Sequence, residues 1–184
     1  MVETLLTVVP VLLFARLAGI DPGVVYVGKG IMGRWLIAAV VFFVVFYLFV
    51  ATLPLRPDSF AQRLFPLNGA LTVERFIALS PALLVVALSN GFEEEFLFRG
   101  MMLSSFGGFL GPWSANLLQA ALFAGAHLGV TYTPSAIVFV VCIVLPLGLV
   151  AGYLTRKTHS VLTPAIFHGA LDIAIYLTFL TAVS

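Results

Sequence analysis

Gly91-Phe92-Glu93-Glu94-Glu95-Phe96-Leu97-Phe98-Arg99-Gly100 sets three adjacent carboxylates and a guanidinium into a chain that is 61% hydrophobic and only 9% charged. Soluble domains run about 45–50% apolar and about 25% charged, so this composition marks an integral membrane protein. Only 8 of the 184 residues are Asp or Glu, and three of them stand together here. A charge at bilayer depth is unfavourable unless it faces a bundle interior and finds partners, which makes such a cluster a functional-site hypothesis by default.

The apolar runs on either side of the cluster are long rather than alternating, so they read as helices; a spanning helix needs about 20 residues. The runs are Leu5 to Ile20 (interrupted by Pro10 and Arg16), Trp35 to Leu53, Thr72 to Leu103, Pro112 to Leu128, Pro134 to Leu154, and Ser160 to the C-terminus. The expected fold is all-α, a polytopic transmembrane helix bundle of about six spans, more if the third segment is broken. That segment carries the charged cluster. At 1.5 Å per residue its roughly 30 residues exceed the roughly 30 Å hydrocarbon core, and Pro81 or Asn90-Gly91 are the positions where it would kink or break. Thr72 is its expected N-cap, with Glu74 in the first turn. Residues 54–72 hold three prolines, Arg56, Asp58 and Arg63, and Asp58 is expected to cap a short surface helix presenting Phe60, Leu64 and Phe65.

The chain reads as one integral membrane domain over residues 1–184, with a motif-bearing core at about 72–178. A net charge of +1 with no basic run excludes a nucleic-acid partner. The single Cys142 excludes an intramolecular disulfide and a cysteine-rich metal site. The first run lacks a basic leader and reads as a retained helix. Lys29, Arg34, Arg156 and Lys157 fall on one side of a six-span bundle and Arg56 and Arg63 on the other, so the positive-inside rule favours the first side as cytoplasmic without fixing the orientation.

Helical spacing divides the cluster. Glu95 and Arg99 are four apart and form an ion pair within the segment. Glu94 lies about 100° round, on the face of Asn90, and is the acid free to act elsewhere. The later runs supply partners. Asn116, Gln119, Phe123 and His127 make one stripe, and His168 and Asp172 another, extended by Pro164 and Tyr176. Lipid cannot receive these stripes, so they should face one another and enclose Glu94, Glu95, Arg99, His127, His168 and Asp172. His159, beside Arg156 and Lys157, reads as solvated surface. Alone, each stripe reads as a helix brace; together they point to a site. The helical zinc-protease signature His-Glu-x-x-His, a phosphate-binding loop and a serine nucleophile motif are all absent. Water activated by Glu and His, water activated by a metal on Glu94, His127 and His168, and a proton or ion path remain open.

Glu94-Glu95-x-x-x-Arg99, Phe123-x-x-x-His127 and His168-x-x-x-Asp172, in this order, resemble the CPBP family of intramembrane proteases. That family contains the type II CAAX prenyl endopeptidases and the bacteriocin-processing and immunity proteins. The resemblance covers about Gly91 to Tyr176. It implies an intramembrane endopeptidase acting on a membrane protein or peptide in the lipid bilayer, with Glu94 and His127 activating water. It further implies that His168 and Asp172 stabilise the oxyanion while Glu95 and Arg99 hold the site's geometry. It leaves zinc open as a cofactor. Asp172 stands where the CAAX enzymes typically carry Asn, and an ionised carboxylate can only accept hydrogen bonds. The compact chain resembles a bacterial or archaeal plasma-membrane member, for which a prenylated substrate is not expected. The alternative reading is an immunity or scaffold protein that uses the same polar pocket without cleaving.

Overall fold

The computed structural model describes residues 33–53, 71–128 and 134–183, together with 8–10, 12–13, 16–17, 19, 22–27 and 30–31. Half of the first apolar run and the whole surface helix expected around Asp58 lie outside the described residues. Five long helices carry the described fold. We number them α1 (Gly33–Ala51), α2 (Val73–Gly107), α3 (Pro112–Leu128), α4 (residues 134–158) and α5 (Leu162–Val183). The chain forms the all-α membrane bundle its composition dictates. Among the described residues, four helical stretches are long and apolar enough to cross a bilayer: Gly33–Ala51, Val73–Gly107, Ile137–Thr158 and Leu162–Thr181. With 17 residues, α3 is shorter than the roughly 20 a full span needs.

Local chemistry sets the helix ends. The Thr72 hydroxyl accepts from the Arg75 N–H at 3.1 Å, and Glu74 sits in the first turn of α2, where its charge opposes the helix dipole. Proline opens both α3 and α4, in the first turn, where its missing N–H costs no helix bond. The Ser160 hydroxyl accepts from the Leu162 N–H at the start of α5. His159 takes a left-handed conformation, φ 53°, to turn the chain from α4 into α5. Its side chain is exposed, as expected for a loop position.

The third apolar run is a single helix of 35 residues, unbroken at Pro81 and at Asn90-Gly91. Its irregularity lies further on. Residues Phe96–Leu103 widen into a π-helical stretch directly after Glu95, and Val140–Val144 do the same in α4 just before Pro146. A wide turn beside a proline absorbs its missing donor, which is how membrane helices tolerate proline. At 1.5 Å rise α2 is about 50 Å long, more than the roughly 30 Å of a membrane core.

Packing is organised around α5. It lies along α2 and α1, while α3 lies along α4. Two apolar clusters result. Val50, Phe76, Leu83, Ala87, Ile173 and Leu177 join α1, α2 and α5; Phe98, Phe123, Ala124, Val140 and Val144 join α2, α3 and α4. Along α2 the polar positions 90–95 fall between the two. The outward face of α1, with Ile37, Val41, Val45 and Leu48, is exposed, as a lipid-facing surface must be.

Glycine sets the closest approach. A Cβ on Gly91 would lie 2.7 Å from the Ala165 carbonyl oxygen and 2.8 Å from the Gly169 nitrogen, both backbone atoms. The backbones of α2 and α5 can touch there only without that carbon, the usual role of small residues in membrane helix packing. Gly91→Ala is therefore expected to destabilise the bundle by about 1–3 kcal/mol, the range for overpacking a dense core. Thermal unfolding in detergent measures it, and an unshifted melting temperature would contradict this close contact.

Candidate active site

Glu94 and Glu95 are neighbours on α2 but meet different surroundings. The Glu95 side chain is 0% exposed, and its Oε1 accepts from Arg99 Nη1 at 2.8 Å and bonds His168 Nδ1 at 2.9 Å. Arg99 is equally buried. Its Nη2 donates to the Gly148 carbonyl of α4 at 3.3 Å, and its guanidinium lies 4.3 Å from the centre of the Phe123 ring. The pair thus ties α2 to α3, α4 and α5. A carboxylate and a guanidinium at this depth are tolerable only when so compensated.

Glu94 faces the other nitrogen of His168, and its side chain is 26% exposed. Its Oε1 accepts from Asn90 Nδ2 at 3.2 Å. Its Oε2 lies 3.9 Å from His127 Nε2 and 3.7 Å from His168 Nε2, beyond direct hydrogen-bond reach. That oxygen is buried without a hydrogen-bond partner. A gap of this width between polar atoms is where a bridging water is to be sought.

The two imidazoles are held differently. His127 Nδ1 faces the Phe123 carbonyl at 2.9 Å. A carbonyl can only accept, so Nδ1 carries the proton, and in the neutral ring Nε2 presents a lone pair toward Glu94. His168 Nδ1 is engaged by Glu95, which leaves its Nε2 facing Glu94 and also Asp172 Oδ1 at 3.6 Å. Phe123 packs 4.6 Å from the His127 ring and edge-on, 5.6 Å, to that of His168. One aromatic ring therefore seats both histidines and the guanidinium. The His168 and Asp172 side chains are 4% and 7% exposed and form a floor, whereas His127, at 33%, stands with Glu94 at the opening.

All six residues singled out by spacing, Glu94, Glu95, Arg99, His127, His168 and Asp172, lie in this one network. The α3 stripe divides, however. His127 and Phe123 belong to the site, while Asn116 and Gln119 turn to α4. Asn116 donates to the Leu149 carbonyl at 3.0 Å, and Gln119 donates to the Gly148 carbonyl at 3.0 Å. They brace α4, whose Gly148 carbonyl also accepts from Arg99. Spacing placed these residues on one face but could not say that the face meets different neighbours along its length. Asn90, placed by spacing on the face of Glu94 and read with Gly91 as a break point, was not counted among the site residues, yet it stands inside the network. Its Nδ2 reaches Glu94 Oε1 and, at 3.0 Å, Asp172 Oδ2. Its four-residue spacing from Glu94 was the available signal.

Among the described residues, no group of three or more His, Cys, Asp or Glu side chains is placed to hold a metal ion. Donors about 2.0–2.1 Å from a tetrahedral zinc stand about 3.3 Å apart. The Glu94–His127 and Glu94–His168 separations are wider, and the other ring nitrogen of His168 is already engaged. As arranged, Glu94, His127 and His168 do not close on a metal position.

A cavity of about 200 Å³ adjoins the network. Phe46 of α1, Ile143 and Leu147 of α4 and Ile175 of α5 form its apolar walls, and His127, His168 and Asp172 form its polar end. An apolar recess ending in a few convergent polar groups is the usual form of a small binding site.

Comparison with known proteins gives one family. The model for the type II CAAX prenyl endopeptidase Rce1-like proteins matches residues 76–174, which hold all of α3, nearly all of α2, α4 to its end, and the site-bearing part of α5. Curated proteins and solved structures give no match. The match spans more than half of the chain and contains every residue of the network. The chain belongs to the Rce1-like family of type II CAAX prenyl endopeptidases, which are membrane proteases.

Proposed function

We propose that the chain is a glutamate-dependent intramembrane endopeptidase in which Glu94 and His127 activate the attacking water. The observation that carries this reading is the unfilled Glu94 Oε2, buried between two imidazole Nε2 atoms at 3.9 and 3.7 Å, both histidines also lining an apolar recess. A water there donates one hydrogen to Glu94 Oε2 and the other to the His127 Nε2 lone pair. As its oxygen attacks the scissile carbonyl carbon, Glu94 takes the proton. The carbonyl oxygen becomes an oxyanion facing His168 Nε2, which donates to it when protonated. Asp172 lies beside that nitrogen and orients the ring. Collapse breaks the C–N bond, and the proton held by Glu94 passes to the leaving amine. A free acid and a free amine result, and Glu94 returns to its carboxylate form. Glu95 and Arg99 take no part in proton movement and fix the position of His168.

The cavity favours a peptide segment with a large apolar side chain next to the scissile bond. Ile143→Trp narrows the recess from a wall position that is half exposed, so folding should survive. We expect KM for a membrane peptide to rise about tenfold, with kcat within about twofold, as for a change confined to ground-state and transition-state binding alike. An unchanged KM would remove the recess from the substrate path.

Because Glu94 itself serves as base, a chelator such as EDTA should leave the cleavage rate within about twofold of the untreated value, and added Zn²⁺ should not raise it. Loss of activity on chelation with recovery on Zn²⁺ would make this a metallo-enzyme instead.

A further inference from the structure

We infer that Asn90 is a positioning residue of the site, holding one oxygen of Glu94 so that the other is left to work. This rests on the base role proposed for Glu94.

Three carboxylates surround His168: Glu94, Glu95 and Asp172. Arg99 answers Glu95. Glu94 and Asp172 stand on different helices, and the one amide of Asn90 lies between them, 3.2 Å from Glu94 Oε1 and 3.0 Å from Asp172 Oδ2. Two acceptor-only groups cannot bond each other, whereas an NH₂ group carries two donors and can serve both. Asn90 thereby settles three things. It engages Glu94 Oε1, so the carboxylate cannot spin and Oε2 stays toward His127 and His168. It keeps Asp172 turned along α5 toward His168. It separates two like charges that would otherwise face each other across the interface of α2 and α5.

The register makes this possible. Asn90 is one turn before Glu94 on the same helix, and it precedes Gly91, where the backbones of α2 and α5 come within touching distance. A short Asn side chain therefore reaches across to Asp172. A larger side chain at position 91 would carry the amide out of range. The same spot explains why the amide lies inside the bundle, where its side chain is half-buried and not in lipid.

The test is steady-state cleavage of a membrane peptide by purified Asn90→Leu and Asn90→Asp, beside Glu94→Gln and wild type, with thermal unfolding of each in detergent. Leu keeps the size and removes both donors. We expect kcat to fall about 30- to 100-fold, the scale on which small misplacement of a reacting group acts, while KM stays within about twofold. Asn90→Asp puts a third carboxylate between the other two and should fall further. A simple helix brace would instead lower the melting temperature and leave kcat of the folded fraction unchanged. That result, or an Asn90→Leu kcat within twofold of wild type, overturns the inference. If Glu94→Gln is inactive while Asn90→Leu is fully active, only the role of Asn90 fails. If Glu94→Gln itself cleaves normally, the base assignment fails with it.

Discussion

Glu94→Gln loses peptide cleavage by about 10³-fold or more, within the range expected when a general base is removed, and keeps its fold. The two halves of that expectation come from the same geometry. Gln is isosteric, so its carbonyl oxygen still accepts from Asn90 as Glu94 Oε1 does. The other terminal atom becomes an NH₂, which can donate but cannot take a proton from water. Because the Glu94 side chain is 26% exposed and pairs with no fixed cation within 4 Å among the described residues, neutralising it leaves no buried guanidinium stranded. Cleavage rate and unfolding temperature therefore separate in this variant. Activity within tenfold of wild type would remove Glu94 from the chemistry.

Arg99→Met gives the opposite pattern, a loss of fold before any question of rate. Arg99 is wholly buried, donates to Glu95 and to the Gly148 carbonyl, and lies over Phe123. Met matches much of its volume, so the damage is electrostatic: Glu95 is left at 0% exposure with His168 as its remaining partner. Breaking a buried ion pair from one side typically destabilises by about 3–5 kcal/mol, a large share of a total stability of about 5–15 kcal/mol. Little folded protein should accumulate. Glu95→Gln added to Arg99→Met removes the stranded charge and should recover a measurable part of the melting temperature. If the single variant melts like wild type, the pair is not the brace described here.

The network was legible in the sequence because charge in an apolar chain must be compensated. That rule singled out residues 91–100, and the four-residue spacings of Glu95 with Arg99 and of His168 with Asp172 gave faces. Spacing gives a face but not the neighbour it meets. Asn116 and Gln119 share a stripe with His127, yet they serve carbonyls of α4, because α3 packs along α4 at their positions and faces the site residues of α2 through Phe123 and His127. The wide turn at Phe96–Leu103 was also invisible: a period of 3.6 assumes regular winding, and no residue type marks a π-helical stretch. Asn90 was placed on the face of Glu94 but not in the site, because an Asn-Gly pair reads as a break, whereas the bundle uses the glycine for contact and the amide as a donor. The unbroken length of α2 was foreseen only as one of several ways to bring Glu94 and His127 to a common depth.

The most direct test reconstitutes the chain in lipid vesicles with a library of membrane-inserted peptides in H₂¹⁸O and reads the products by mass spectrometry. Wild type should release fragments whose new C-termini each carry one ¹⁸O, and Glu94→Gln and His127→Ala should release none. Folded wild-type protein that retains peptides without producing labelled termini would contradict the proteolytic reading and leave a binding protein in its place.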